Sequence, residues 1–259
     1  MYPNELFWGL DLYSIMIAVG FLAALILFRV LADRAKLRAR LQNTCVYAGL
    51  ASLLGGYLSA VLWQAVYNAI ESGKFTLGGE TGATFYGGLI GGILTFIGAY
   101  FLFGRLLLRP GEAKAEIGHI FNIGICGVVI AHGFGRIGCL FAGCCHGHIT
   151  HAWYGVWNAD LGARTVPTQL FEALFLFALC AFLAWREWRG KGQNLALYFL
   201  CYGVWRFIIE FFRADERGKT IVPFLSPSQL VAILFTVAGA VLLVRAVLKT
   251  RKQGGKTDE

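Results

Sequence analysis

The chain has 259 residues, of which 57% are hydrophobic and only 15% charged, with a formal net charge of +8. That balance, with a mean hydropathy of +0.62, excludes an ordinary soluble domain and calls for a membrane protein. The basic excess falls in alternating connections, so it reads as membrane topology and contact with anionic lipid, not as nucleic-acid binding.

Taken in order, seven apolar windows are near the length that crosses a hydrocarbon core. They cover 13–32, 45–66, 83–103, 119–140, 168–186, 195–213 and 227–248. The first is too long for the apolar region of a cleaved signal and has no basic segment before it, so it is expected to remain as a span. The fourth and sixth contain charge. Basic residues cluster in 33–43, 105–114, 186–191 and after 245, while 67–82, 141–167 and 214–226 hold few. The positive-inside rule then predicts an external N-terminus and a cytoplasmic C-terminus. The expected fold is an all-α integral membrane protein of seven transmembrane helices. One membrane domain is expected over 1–250, followed by a polar tail at 251–259 expected to be disordered. No internal repeat is visible, which argues against an inverted-repeat transporter. The glycine pairs at 55–56, 87–88 and 91–92 predict close helix packing.

With helices so oriented, the polar residues collect towards the outer leaflet. Tyr13 lies at the outer end of the first helix and Tyr86 at that of the third. Arg136 lies near the outer end of the fourth. Gln169 and Glu172 open the fifth, and Arg206, Glu210 and Arg213 occupy the outer half of the sixth. Insertion scales charge about 2.5–3.5 kcal/mol for an arginine at a membrane helix centre, so an intramembrane arginine is read as a functional residue. On the sixth helix the i,i+4 and i,i+3 spacings put Arg206, Glu210 and Arg213 on one face. Three arginines against Glu172 and Glu210 leave positive charge over. That surplus fits a phosphate, which the guanidinium fork binds well. Around Arg136, glycines such as Gly138 and Gly143 allow backbone amides to approach a ligand.

Of seven cysteines, Cys45, Cys126, Cys180 and Cys201 fall in apolar helices and read as small hydrophobes. Cys139, Cys144, Cys145, His146, His148 and His151 could supply a tetrahedral metal site. The adjacent Cys144 and Cys145 are not expected to converge on one ion, however, and no Cys-x-x-Cys pair occurs. A vicinal thiol site, a disulfide and simple packing stand as alternatives, and no metal is expected.

Five ordered motifs resemble one family, the prolipoprotein diacylglyceryl transferases. They are Tyr13 with Val19-Gly20-Phe21 and Asp33-Arg34-Ala35; Phe85-Tyr-Gly-Gly-Leu-Ile-Gly91; Gly135-Arg-Ile-Gly138 through Gly143; Pro167-Thr-Gln-Leu-Phe-Glu172; and Arg206-Phe-Ile-Ile-Glu-Phe-Phe-Arg213. Leu225-Ser-Pro-Ser-Gln229 is similar to the start of the family's last helix. The resemblance implies seven helices and a site open to the outer leaflet of a bacterial cytoplasmic membrane. It implies phosphatidylglycerol as lipid donor, a prolipoprotein signal peptide with its lipobox cysteine as acceptor, and no cofactor. Tyr86 stands where the family usually has histidine, Cys139 where asparagine is common, Cys144 where an acid is common, and Tyr57 where arginine is frequent. The connection from Gly147 to Pro167 is short for the family. A Cys-Cys form of the signature occurs in the wider family.

Within that frame Arg136 is assigned to the phosphate and Arg206 to the thiolate or leaving group. Glu210 orients the arginines. Tyr13, Gly87, Gly88, Gly138, Gly143, Gln169, Glu172 and Arg213 complete the expected binding set. Tyr86 is expected to donate a hydrogen bond, since a phenol is a weak base at pH 7. His132, one turn before Arg136, is a candidate replacement base, with a satisfied helix histidine as the plainer alternative. Rival readings are a paralogue using another acceptor, a non-catalytic lipid- or anion-binding membrane protein, and a small-solute transporter.

Overall fold

The computed structural model describes residues 10–73, 75, 77, 81–214 and 224–254, with side chains to 249. Its helices are α1 (Leu12–Arg34), α2 (Ala39–Ser72), α3 (Phe85–Leu107), α4 (Glu112–Ala142), α5 (Thr168–Trp188), α6 (Asn194–Ile209) and α7 (Pro227–Gly254). A 3-10 turn, Glu210–Phe212, extends α6. All seven helices, α6 with its 3-10 extension, are long and apolar enough to cross a membrane. The fold is the expected all-α, seven-span membrane class. The helices outrun the apolar windows because polar ends continue them: Arg40 and Asn68 both lie inside α2, and Glu112 opens α4. At the other end of the chain α7 reaches Gly254, into the stretch expected to be a tail; the residues after it lie outside the described ones.

Among the described residues the chain forms two compact units, one of Lys36–Ile120 and the other of Met1–Ala35 with Phe121–Glu259. In the first unit α2 packs along α3. Gly87 meets Trp63 so closely that a Cβ there would stand 2.7 Å from the Trp63 Cβ. Ser59 Oγ donates to the Gly87 carbonyl at 2.9 Å, and Ser52 Oγ to that of Gly92 at 2.8 Å. A Cβ on Gly88 would stand 3.3 Å from that of Ala60, so both glycines lie at a close helix contact of the kind small residues allow in membranes. Tyr86 sits in the first turn of α3, 40% exposed.

In the second unit α1 packs on α5, α5 on α6, and α6 on α7. Between α4 and α5 the structure adds an element that the sequence reading lacked. Strands β1 (Val156–Asn158) and β2 (Ala163–Thr165) pair as an antiparallel hairpin. The segment before it is laced to both neighbours: Gly147 N donates to Val166 O at 2.9 Å, and His148 N to Phe212 O at 3.2 Å. This ribbon fixes the end of α4, the start of α5 and the end of α6 to one another by backbone hydrogen bonds.

Candidate functional site

Four helix ends meet in the second unit, and each brings polar side chains. Arg136 comes from the last turns of α4 and Glu172 from the first turns of α5. Arg136 Nε lies 3.1 Å from Glu172 Oε2, with the arginine side chain 13% exposed and the glutamate fully buried. The angle makes this an ion pair without a well-aligned hydrogen bond. The other Glu172 oxygen accepts from the Tyr202 hydroxyl at 2.8 Å. Tyr202 stacks on Tyr198 and meets His132 edge-on at 5.1 Å between ring centres. His132 thus stands against an aromatic ring one turn from Arg136.

Arg206, near the end of α6, holds the second half. Its Nη2 lies 2.8 Å from Glu210 Oε2 and donates to Ser228 Oγ at 3.0 Å. Its Nη1 is buried and has no hydrogen-bond partner among the described residues. A buried donor of this kind is rare and calls for an explanation such as a ligand. Arg213 Nε lies 3.8 Å from the same Glu210 oxygen. The expected single helical face is corrected here: α6 ends at Ile209, and Arg213 follows the 3-10 turn. The two arginines still gather on the one Glu210 carboxylate.

Glu210 is held from the far side by α7. Ser226 Oγ donates to Glu210 Oε1 at 2.7 Å and accepts from Gln229 N at 3.2 Å, while Gln229 Oε1 accepts from Ser226 N at 2.9 Å. This reciprocal pair is a capping box with proline at the first helical position. The motif Ser226-Pro-Ser-Gln229 was visible in the sequence, but its tie to Glu210 was not. Tyr202 was missed as well, although its i,i+4 spacing to Arg206 was a signal.

The loop after α4 is equally well anchored. Gly143 takes φ +78°, the left-handed conformation in which helices commonly end. Three consecutive carbonyls then receive side-chain donors: Gly143 O from Asn158 Nδ2 at 3.0 Å, Cys144 O from Gln169 Nε2 at 2.6 Å, and Cys145 O from Thr168 Oγ1 at 2.9 Å. Gln169 holds backbone through its Nε2, while its buried Oε1 has no hydrogen-bond partner among the described residues. Cys139, Cys144 and Cys145 bring their sulfur atoms within 4.8 Å of one another, so the adjacent pair does converge, contrary to expectation. The Cys145 thiol is drawn well below its ordinary pKa by hydrogen bonds from Cys139 and Cys144, with Arg213 adding to the effect against the cost of burial. Tyr13, exposed, lies against Gly138, where a Cβ would stand 3.0 Å from its ring.

The structure thus brings together Arg136, Glu172, Arg206, Glu210 and Arg213, with His132, Gln169 and Gly143 beside them. Tyr86, Gly87 and Gly88 belong to the other unit. Apolar spans together with buried arginine–glutamate pairs define a multi-pass membrane protein with a buried charged cluster. The family model for prolipoprotein diacylglyceryl transferase matches residues 5–245, and the chain belongs to that family. It is 32% identical to the phosphatidylglycerol–prolipoprotein diacylglyceryl transferase 2 of Clostridium perfringens (strain 13 / Type A), over 98% of each chain. It is likewise 32% identical to the phosphatidylglycerol–prolipoprotein diacylglyceryl transferase of Clostridium tetani (strain Massachusetts / E88), over 96% of this chain and 98% of that one. A Dehalococcoides mccartyi relative of the same name is 28% identical over 79% of this chain and 78% of its own.

Proposed function

We propose that the chain transfers the diacylglyceryl group of phosphatidylglycerol to the lipobox cysteine thiol of a prolipoprotein. The observation that carries the reading is the buried Arg206, whose Nη1 has no hydrogen-bond partner among the described residues, in a cluster with more arginines than glutamates. The acceptor thiolate attacks the glyceryl carbon that bears the phosphate. The carbon–oxygen bond breaks, a thioether forms, and glycerol phosphate leaves with the bond's electron pair. The thiol proton goes to a base or to solvent. Negative charge grows on the leaving phosphate, so donors already in place lower the barrier most. Arg136 binds the phosphate, and Arg206 stabilises the leaving group or the thiolate. Glu210, steadied by Ser226, sets the direction of Arg206. His132 is the candidate base, and Tyr86 donates a hydrogen bond to a substrate.

The site faces the outer leaflet of the bacterial cytoplasmic membrane, with the N-terminus outside and the C-terminus in the cytoplasm. The alternating basic connections support that orientation. In a background without the native cysteines, a thiol placed at Thr150 is labelled from outside and one at Lys36 is not; the reverse pattern overturns it. The decisive assay supplies purified protein with labelled phosphatidylglycerol and a lipobox peptide. Thioether product is expected. Lipid binding without product would replace this reading by a binding protein, and transfer only to a different acceptor by a paralogue.

A further inference from the structure

Two groups of cysteines behave differently in the second unit. Cys180 Sγ donates to the Cys126 carbonyl at 3.4 Å, and Cys126 Sγ to that of Asn122 at 3.7 Å. Both are buried and spend their S–H on backbone, as packed thiols do. Cys144 Sγ likewise donates to a carbonyl, that of Cys139 at 3.8 Å, but the sulfurs of Cys139, Cys144 and Cys145 also converge, and Cys144 is exposed, which leaves a way in from solvent.

The convergence has a structural cost. Cys145 has φ +62°, a left-handed conformation that is strained for a non-glycine residue and persists only where the surroundings impose it. The imposing groups are Asn158, Thr168 and Gln169, all at most 1% exposed, which hold the three carbonyls of this loop. Simple packing of three small side chains needs no such scaffold. A coordination site does, because ligands must be held before the ion arrives.

We propose that Cys139, Cys144 and Cys145 form a binding site for a soft, thiophilic cation with an all-sulfur, three-coordinate shell, cuprous copper being the best match. With metal–sulfur bonds of about 2.3 Å, three sulfurs around one ion stand roughly 3.8–4.0 Å apart. The thiols, already within 4.8 Å, reach that spacing by small side-chain rotations. Among the described residues no histidine or carboxylate joins the group, and His146 Nδ1 lies 3.0 Å from the Gly147 carbonyl. Thiolate ligands select soft ions, and a three-sulfur shell suits monovalent copper better than zinc, which takes four ligands. Binding replaces three S–H protons by one cation and releases the protons to solvent, with no change of oxidation state. The complex carries two negative charges. Arg213, within electrostatic reach of Cys145, and Arg136, within reach of Cys139 and Cys145, offset them.

The test uses the full-length protein, reduced and purified in detergent, titrated without oxygen against Cu(I) held by a coloured chelator. The parent withdraws one equivalent per chain, and X-ray absorption finds sulfur alone in the first shell. Cys139→Ser and Cys145→Ser lose the ability to compete with the chelator, whereas Cys201→Ser competes like the parent. Copper protects Cys139, Cys144 and Cys145 from alkylation, as mapped by mass spectrometry. No withdrawal by the parent, a nitrogen-containing shell, or full binding by a triple serine variant overturns the site. Should the serine variants fail to fold, the parent's absorption spectrum and alkylation map decide the matter alone.

Discussion

Both compact units contain arginine–glutamate pairs, and one pair from each differs from the other in setting. In the first unit Arg38 meets Glu112 at the start of α4, with side chains 47% and 11% exposed, so the arginine end stands in solvent. In the second, Arg136 meets Glu172 with side chains 13% and 0% exposed. An exposed pair contributes about 0–1 kcal/mol. A buried pair gains more Coulomb energy but loses the hydration of both charges, and apolar residues of similar volume often replace it at no cost to stability. The first pair is therefore explicable as a surface contact at a helix start. The second has no such explanation in stability, so its presence points to chemistry.

Arg136→Ala sharpens that contrast most. Transfer to a lipobox peptide falls to background, and the charge left on Glu172 lowers stability by about 3–5 kcal/mol, read by unfolding in detergent. Arg136→Met combined with Glu172→Leu restores stability but not transfer. If the double variant also transferred lipid, the pair would be structural and the contrast would fail.

Tyr86 is the next largest expected effect, because it places a proposed functional residue in the unit without a buried pair. Tyr86→Phe lowers turnover clearly but not to background, since the phenol is assigned a hydrogen bond and not the thiol proton. Tyr86→His keeps measurable activity. An unchanged rate in Tyr86→Phe removes this residue from the mechanism.

Ser226→Ala removes the cap of α7 and the hydrogen bond that steadies Glu210. The cap alone is worth about 0.5–2 kcal/mol, and a matching loss of thermal stability is expected. Turnover falls with it, through looser placement of Arg206, and Ser226→Thr recovers both. Loss of stability with unchanged turnover would confine Ser226 to helix capping.

The smallest effect belongs to Arg38→Ala. Stability changes by about 0–1 kcal/mol and transfer stays as in the parent. A dead Arg38→Ala variant would break the comparison from its other side.

The sequence made some of this readable and hid the rest for physical reasons. Membrane spans announce themselves, since a lipid-facing helix must be apolar along its length, and α1, α3, α5 and α7 fall where the apolar windows placed them. Helix ends were less legible: Arg40 and Asn68 are polar yet helical, because beyond the hydrocarbon core water can serve side chains without ending the backbone ladder. Arg206 and Glu210 were legible as neighbours through their i,i+4 spacing. The partnership of Arg136 with Glu172 was not, because it joins two helices and no local spacing encodes it. Nor was the turn at Cys145, where a left-handed backbone is imposed by Asn158, Thr168 and Gln169 from farther along the chain.

The nesting of the two units sets an order of events during synthesis. Along the chain, the whole of Lys36–Ile120 comes between the two sequence segments of the other unit. Helix α1 is made before it, yet the neighbours that α1 packs against, such as Phe134 beside Gly20, are encoded after it. At translation rates of about 5–20 residues per second, α1 waits several seconds in the bilayer before those partners leave the ribosome. The intervening unit has its own glycine-packed helix pair and can close meanwhile. Assembly of the charged cluster thus waits until both glutamates, all three arginines and the Ser226 and Ser228 hydroxyls that bond to them have been made.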